Sequence, residues 1–294
     1  MSENLIIKDL PKIFFENKFK IFGITSIFFL ISLIYSFSAS EIYESEAVLV
    51  LNDSSNQMPD LGGISAIAGI NLSALGGESS IDDGIQVMRS YDLFKRFINR
   101  GDFFLQFAAA KNWDRDSNNL IFDKNIFDVK SNKWVSKQKF SVNGRPSIQE
   151  IYKNFHRENL IIIKDQLSGH IILKMNHISP EVAKESLMAI IKEVNDYQRE
   201  RDISTATRSI SFLEKKLNEN IFAEVRMGLS SLIQEQVKKV MIAEANEEYL
   251  FEILSSPYAS ETRVYPRRSV IILSSSLLGL LFSFLYFIFT NKRF

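Results

Sequence analysis

Apolar positions recur along this chain in three ways: in unbroken runs, in alternation, and at helical spacing. The unbroken runs lie near the two ends. "IFGITSIFFLISLIYSFSAS", Ile21 to Ser40, and "SVIILSSSLLGLLFSFLYFIFT", Ser269 to Thr290, carry no charged residue. About 22 residues at about 1.5 Å each give roughly 33 Å, enough to cross a hydrocarbon core of about 30 Å. Both runs predict spanning helices. Arg267 and Arg268 before the second, and Lys292 and Arg293 after it, are placed to snorkel to the headgroups. For the first run a cleaved signal peptide is the rival, since "SFSAS" offers small residues. Its apolar stretch exceeds the usual run of about 7–15 residues, however, and its leading segment is long and mixed in charge. Gly23 in the first span and Gly279 in the second are expected to let the two helices approach closely, as small residues do in lipid.

Alternation marks strands. "EIYESEAVLVLND", Glu41 to Asp53, alternates around Tyr43, Val48 and Val50, and "GHIILKMNH", Gly169 to His177, alternates again. "YLFEIL", Tyr249 to Leu254, predicts a last strand that pairs with the early ones. Between the first two lies "LGGISAIAGINLSALGGESS", Leu61 to Ser80, with five glycines. It lacks both GxxxxGK[ST] and the GxGxxG order, so it reads as a flexible or tightly packed loop rather than a phosphate cradle.

Helical spacing accounts for the rest. Ser79 to Arg100 predicts one helix, with Ser80 as cap and Asp82 and Asp83 in the first turn. Ile85, Met88, Leu93, Phe94 and Phe97 form its buried side. The aromatic-rich middle (Phe103, Phe104, Phe107, Trp113, Phe122, Phe127, Trp134) reads as core, with a sugar-stacking platform as the alternative. "RPSIQEIYKNFHRENLIII", Arg145 to Ile163, reads as helix opened by Pro146. Then Ser179 caps, and Pro180 opens, a stretch without Pro or Gly that runs to Arg226. Its apolar steps, Ile203, Ala206, Ile210, Leu213, Leu217 and Ile221, approach a heptad stripe. As one helix it would approach about 65 Å. Gly228 is the expected reversal point, after which Leu229, Leu232, Val237 and Met241 face inward on a returning helix. The alternative is one unbroken helix of about 70 residues, since a helix tolerates Gly at about 1 kcal/mol.

Composition narrows the chemistry. The formal charge is zero, which gives no reason to expect a nucleic acid. There is no cysteine, hence no disulfide and no thiol nucleophile. His156, His170 and His177 lack metal-ligand spacing, and neither GxSxG nor a kinase loop is present. Carboxylate pairs for glycosidic chemistry meet only in the fold, and nothing in the sequence singles one out. The expectation is a non-enzyme with no cofactor and no metal.

Two spans return the chain to its starting side. Lys8, Lys12, Lys18 and Lys20 before the first span assign that side to the cytoplasm by the positive-inside rule. Arg263, Arg267 and Arg268 weaken the signal, but they follow a long domain, and long domains translocate largely regardless of charge. The expected organisation is a cytoplasmic segment 1–20, a span 21–40, a periplasmic domain 41–268 containing a helical arm at about 180–250, a span 269–290, and a cytoplasmic tail 291–294.

The order of short segments resembles a known family, the Wzz-type chain length determinants, polysaccharide co-polymerases of the bacterial inner membrane. The segments are "LGGISAIAGINL", "MRSYDLFKRFI", "KNWDRDSNNLIFDKNIFD", "SPEVAKE", "ISFLEKKLNE", "MIAEANEEYLFEIL" and "YPRRSVIIL". Each is weak alone; their shared order between two terminal spans is specific. One departure concerns the linker before the second span. Pro257, Pro266, Arg267 and Arg268 are there, but Ser260 stands where the family leads one to expect another proline. The resemblance implies an α+β fold: a membrane-proximal α/β base with a long helical arm, flanked by the two spans. It implies a closed homo-oligomer in the lipid bilayer. That assembly would set the length of lipopolysaccharide O-antigen or a related glycan, alongside a membrane polymerase and the growing glycan. Two rivals remain. A two-span sensor with a periplasmic ligand domain calls for a sizeable cytoplasmic signalling segment. An export adaptor for a separate tyrosine kinase calls for a longer tail or a P-loop domain.

Overall fold

The protein is seen in a computed structural model that describes residues 17–52, 77–137, 141–219 and 222–291. The glycine-rich stretch expected as a loop lies almost wholly outside the described residues, as do Lys8, Lys12, Ile221, Lys292 and Arg293. In chain order, the elements begin with α1 (Lys18–Ser38), β1 (Ile42–Leu51), α2 (Gly77–Arg89), α3 (Tyr91–Ile98) and α4 (Phe103–Ala109). Two short hairpins follow, β2 (Ala110–Asp114) with β3 (Asn119–Phe122) and β4 (Phe127–Asp128) with β5 (Lys133–Trp134). Next come α5 (Ile148–Asn154), a π-helical turn (Phe155–Asn159), β6 (Leu160–Lys164) and β7 (Ile171–His177). Then α6 (Pro180–Leu217), α7 (Ala223–Ala245), β8 (Phe251–Ser255), β9 (Arg263–Tyr265) and α8 (Arg268–Asn291) complete the chain. Two units result: residues 1–42 with 262–294, and residues 43–261.

The larger unit has an antiparallel sheet in the order β6-β7-β1-β8. Its register follows from the alternation. Tyr43, Ser45, Ala47 and Leu49 are buried on β1, and Ile171, Leu173 and Met175 on β7, with Ala47 opposite Leu173. Val48 and Val50 lie on the other face, because a strand's side chains alternate with period two. A bulge between Val48 and Leu49 shifts the pairing to β8. On β7, Lys174 pairs with Glu44 and Glu46 at 2.8 and 2.9 Å, and the Glu44 hydrogen bond is the main reason its ammonium pKa is raised. The core is aromatic. Phe94 lies 5.1 Å from Phe155, Phe97 stacks on Phe103 at 4.7 Å, and Phe107 meets Phe155 edge-on at 5.1 Å between ring centres.

The expected single helix 79–100 is two helices. Ser90 takes an extended conformation (φ −72°, ψ 148°) and its hydroxyl accepts from Leu93 N, so Ser90, not Ser80, is the cap. Helix α2 starts at Gly77, which puts Ser80, Asp82 and Asp83 inside it; Asp82 pairs with Lys164 at 2.9 Å. Pro146 lies two residues before α5 rather than opening it. The tail of that expected helix, Leu160 to Ile163, is strand β6, as its β-branched run favours.

One turn design recurs three times. In "DRDSN", "DVKSN" and "DQLSG" (Asp114, Asp128 and Asp165) one aspartate oxygen accepts from the amide two residues on. The other oxygen accepts from the serine hydroxyl three residues on. The next residue takes a positive φ: 53° at Asn118, 52° at Asn132 and 72° at Gly169. Each module reverses a hairpin. The serine hydrogen bond is also the leading cause that holds each aspartate pKa below its ordinary value.

Helix α6 is 38 residues long, about 57 Å at the helical rise. Ser179 caps it through Val182 N, and Pro180 opens it. Helix α7, which starts at Ala223, packs back along α6, which ends at Leu217. The reversal thus precedes Gly228, which sits inside α7. The inward face of α7 is Leu229, Leu232, Ile233, Gln236, Val240 and Ala243. Val237 and Met241 point to solvent: the step from Leu232 to Val237 is five residues, about 140° out of phase with the stripe.

Candidate functional site

Three places hold the residues of interest: the base of α6, the distal arm, and the pair of apolar helices. At the base, Glu193 is fully buried, a costly place for a carboxylate unless it is paired. Arg96 Nε and Arg100 Nε approach its two oxygens, each at 2.5 Å. Arg96 also forms a fork with Glu200 at 2.8 and 3.0 Å, and that bond leads the rise in its guanidinium pKa. Two residues on, Asn195 is buried and fully used. Its Oδ1 accepts from Leu250 N and Phe251 N at 2.8 Å each, and its Nδ2 donates to Phe251 O at 2.9 Å. That side chain ties α6 to the start of β8. Further along, Tyr249 OH donates to Asp202, whose other oxygen faces Lys239 of α7 at 3.4 Å. None of these partners was legible in the sequence, because Arg96 and Glu193 stand 97 residues apart.

His177 is also buried. Its Nε2 donates to Gln106 O at 3.3 Å and its Nδ1 accepts from Ser179 N at 3.1 Å, which links β7 to the cap of α6. Burial pushes its pKa down to about 4. His156 packs edge-on against Phe155 and Tyr152; burial, then Arg89, lowers its pKa. His170 stands in the turn before β7. The three histidines do different jobs at different places. Among the described residues, no group of three or more His, Cys, Asp or Glu is placed to hold a metal.

On the arm, Ile203, Ile210, Leu213 and Leu217 are half-buried, and Ala206 is buried. Ile221 lies outside the described residues. A shallow groove between the arm helices is lined by Thr205, Arg208, Phe212, Leu213, Leu232 and Gln236. Two of its polar groups are engaged within α6: Thr205 Oγ1 donates to Arg201 O at 2.8 Å, and Arg208 Nε donates to Ser204 O. Phe212 is 60% exposed, Met227 70% and Phe222 82%. The arm presents apolar side chains, not a reacting group.

The smaller unit pairs α1 with α8, both long and apolar enough to cross a membrane. Gly279 faces Phe28 so closely that a Cβ there would lie 2.8 Å from Phe28 Cβ. Ser275 Oγ donates to Phe28 O at 3.2 Å beside it, and the Phe28 and Phe282 rings lie 6.0 Å apart. Gly23 faces elsewhere; a Cβ there would meet nothing within 4 Å. Of the linker residues, Pro257 is buried in the larger unit. Pro266, Arg267 and Arg268 belong to the smaller one, where Arg268 bonds Glu41 at 2.9 Å.

Two long apolar helices, together with an α+β unit bearing a long helical hairpin, define the class. The comparison with known families is narrower: residues 4–100 match the model of the Wzz family, Chain length determinant protein, the family the sequence resembles. Among solved structures, a full-length bacterial polysaccharide co-polymerase is similar at 13% identity and TM-score 0.39, over 97% of each chain. A fragment of WzzB, a polysaccharide co-polymerase from Salmonella Typhimurium, is similar at 11% identity and TM-score 0.35, over 77% of this chain and all of that one. No curated protein matches the chain.

Proposed function

We propose that this protein is a polysaccharide co-polymerase that regulates the length of lipopolysaccharide O-antigen or a related surface glycan. It acts without catalysing the reaction, as a closed homo-oligomeric scaffold beside a separate polymerase. Most of the chain stands in the periplasm, held to the inner membrane by α1 and α8. The observation that carries this reading is the family match over residues 4–100, on a chain whose later part holds a 38-residue helical arm. The site residues support it: the base is engaged in its own fold, and the arm offers surface rather than chemistry.

The experiment is a glycan ladder from strains with and without the gene. Loss of a length regulator leaves polymer in place but removes its preferred length, because bond formation belongs to another enzyme. A ladder identical to the parent's for every surface polysaccharide overturns the reading. Complete loss of polymer would point instead to an enzyme of synthesis.

A further inference from the structure

Three arginines crowd one end of the smaller unit. Arg263 lies in β9, Arg267 precedes α8, and Arg268 opens it. Glu41, just beyond α1, is the one acidic residue among this unit's described residues. Arg263 Nη1 and Arg268 Nη2 both donate to the same oxygen of Glu41, at 2.7 and 2.9 Å. Arg267 is exposed, with no side-chain partner among the described residues. One carboxylate therefore balances three guanidiniums, and the surplus positive charge raises the local potential until an anion arrives. Arg268 is also held in place, its guanidinium carbon 4.5 Å from the centre of the Phe37 ring.

Location narrows the anion. These residues stand where two membrane-length helices end, the level of the headgroups when those helices span. Tyr265, 48% exposed, adds the kind of amphipathic ring that favours this level. In the proposed topology this is the outer end, where the positive-inside bias depletes arginine beside spans, so a trio of them runs against the trend. All three cations are arginine, whose planar fork grips a phosphate through two hydrogen bonds where lysine offers a point charge.

We propose that Arg263, Arg267 and Arg268 bind the phosphate of an anionic phospholipid headgroup, with Glu41 as its intramolecular competitor. The proposal rests on the reading of α1 and α8 as spans. The test uses the full chain in mild detergent, given equal phosphatidylglycerol and phosphatidylcholine, with retained lipid counted by native mass spectrometry. The wild-type chain retains phosphatidylglycerol in preference. Arg267→Gln with Arg268→Gln lowers that retention roughly thirtyfold, since each of the two cations near a charged surface contributes on the order of 1 kcal/mol. Lys18→Gln with Lys20→Gln, the same charge removed at the other end, leaves it unchanged. Glu41→Gln frees two guanidiniums and raises retention, a gain that misfolding does not imitate. Retention unchanged by the double arginine variant, or lowered by Glu41→Gln, overturns the proposal. So does displacement of the lipid by millimolar inorganic phosphate, which would make a soluble phosphate the ligand. A chain that needs detergent but shows no headgroup preference overturns this proposal alone; a chain soluble without detergent overturns the span reading with it.

Discussion

Helix α6 is one continuous element with two different halves. From Pro180 to Asp196 it buries Val182, Ala183, Leu187, Ile190, Ile191 and Val194, and also Glu193 and Asn195. From Tyr197 to Leu217 only Ala206 is buried. The first half is packed from several sides, by the sheet, α2 and α3. The second is met at its start by Arg96 of α3, through Glu200, and by Tyr249, through Asp202; beyond Asp202 it has α7 along it and solvent elsewhere. Secondary structure is the same in both, so the helix alone decides little about stability. The first half is held by tertiary burial, as most protein helices are. Beyond Asp202, the second is held by α7 and by continuity with the first. The division leaves a packed base and an arm whose outer surface is open.

Truncation in the two halves gives the largest contrast. Phe97→Ala removes a fully buried ring from the aromatic core against which α6 packs, and should cost about 3–5 kcal/mol. Met241→Ala on the arm removes a side chain that is 63% exposed and should stay within about 0.5 kcal/mol. Thermal unfolding of the detergent-solubilised full chain, followed by the fluorescence of Trp113 and Trp134, measures both. Equal shifts would erase the distinction between base and arm.

Acid should separate the halves next. His177 is buried at the start of α6, and its folded pKa lies at about 4 against an ordinary 6.5. The unfolded chain therefore binds the extra proton first as pH falls. Stability contributed by the neutral ring is complete above 6.5 and drains away between 6.5 and about 4, by a total on the order of 3 kcal/mol. His177→Gln should flatten the slope of melting temperature against pH across that window. An unchanged slope would mean that the acid sensitivity lies elsewhere.

These halves were unequally legible. The two long apolar helices are legible as unbroken apolar runs, and β1, β7 and the Ser179–Pro180 start of α6 as local pattern. The short hairpins do carry a local signal, Asp-x-x-Ser followed by Asn or Gly, at Asp114, Asp128 and Asp165. Each such module closes a turn on its own hydrogen bonds, so a few residues suffice. The break at Ser90 went unseen because the apolar spacing of Met88, Leu93 and Phe97 runs across it. The Glu193 cluster had no local signal at all, since its arginines arrive from a distant helix. On α7 the inward stripe expected through Val237 and Met241 runs instead through Ile233, Gln236 and Val240, because apolar residues stand on more than one face and spacing alone does not choose between them. Gly279 was singled out in the sequence and stands against Phe28, but glycine content alone could not separate it from Gly23.

The smallest effect on stability is the most informative about the arm. Leu213 is half-buried at the groove between α6 and α7. Leu213→Asp forfeits part of a leucine's burial, about 1 kcal/mol, and the new carboxylate can turn to water rather than stay unpaired inside. The base should hardly notice: its buried residues end at Asp196, and the nearest buried residue along the helix is Ala206, two turns away. Melting of the full chain should therefore move far less than in Phe97→Ala. The glycan ladder is a separate readout. If the groove face is covered by a second copy or meets the polymerase or the glycan, a charge there abolishes the preferred length while the base still melts normally. Glu214→Lys, one step round the helix and exposed, supplies the control for charge alone. A ladder unchanged by Leu213→Asp would remove this face from the length mechanism. A melting temperature as low as that of Phe97→Ala would show that the distal half of α6 is core after all, and the two halves would be one.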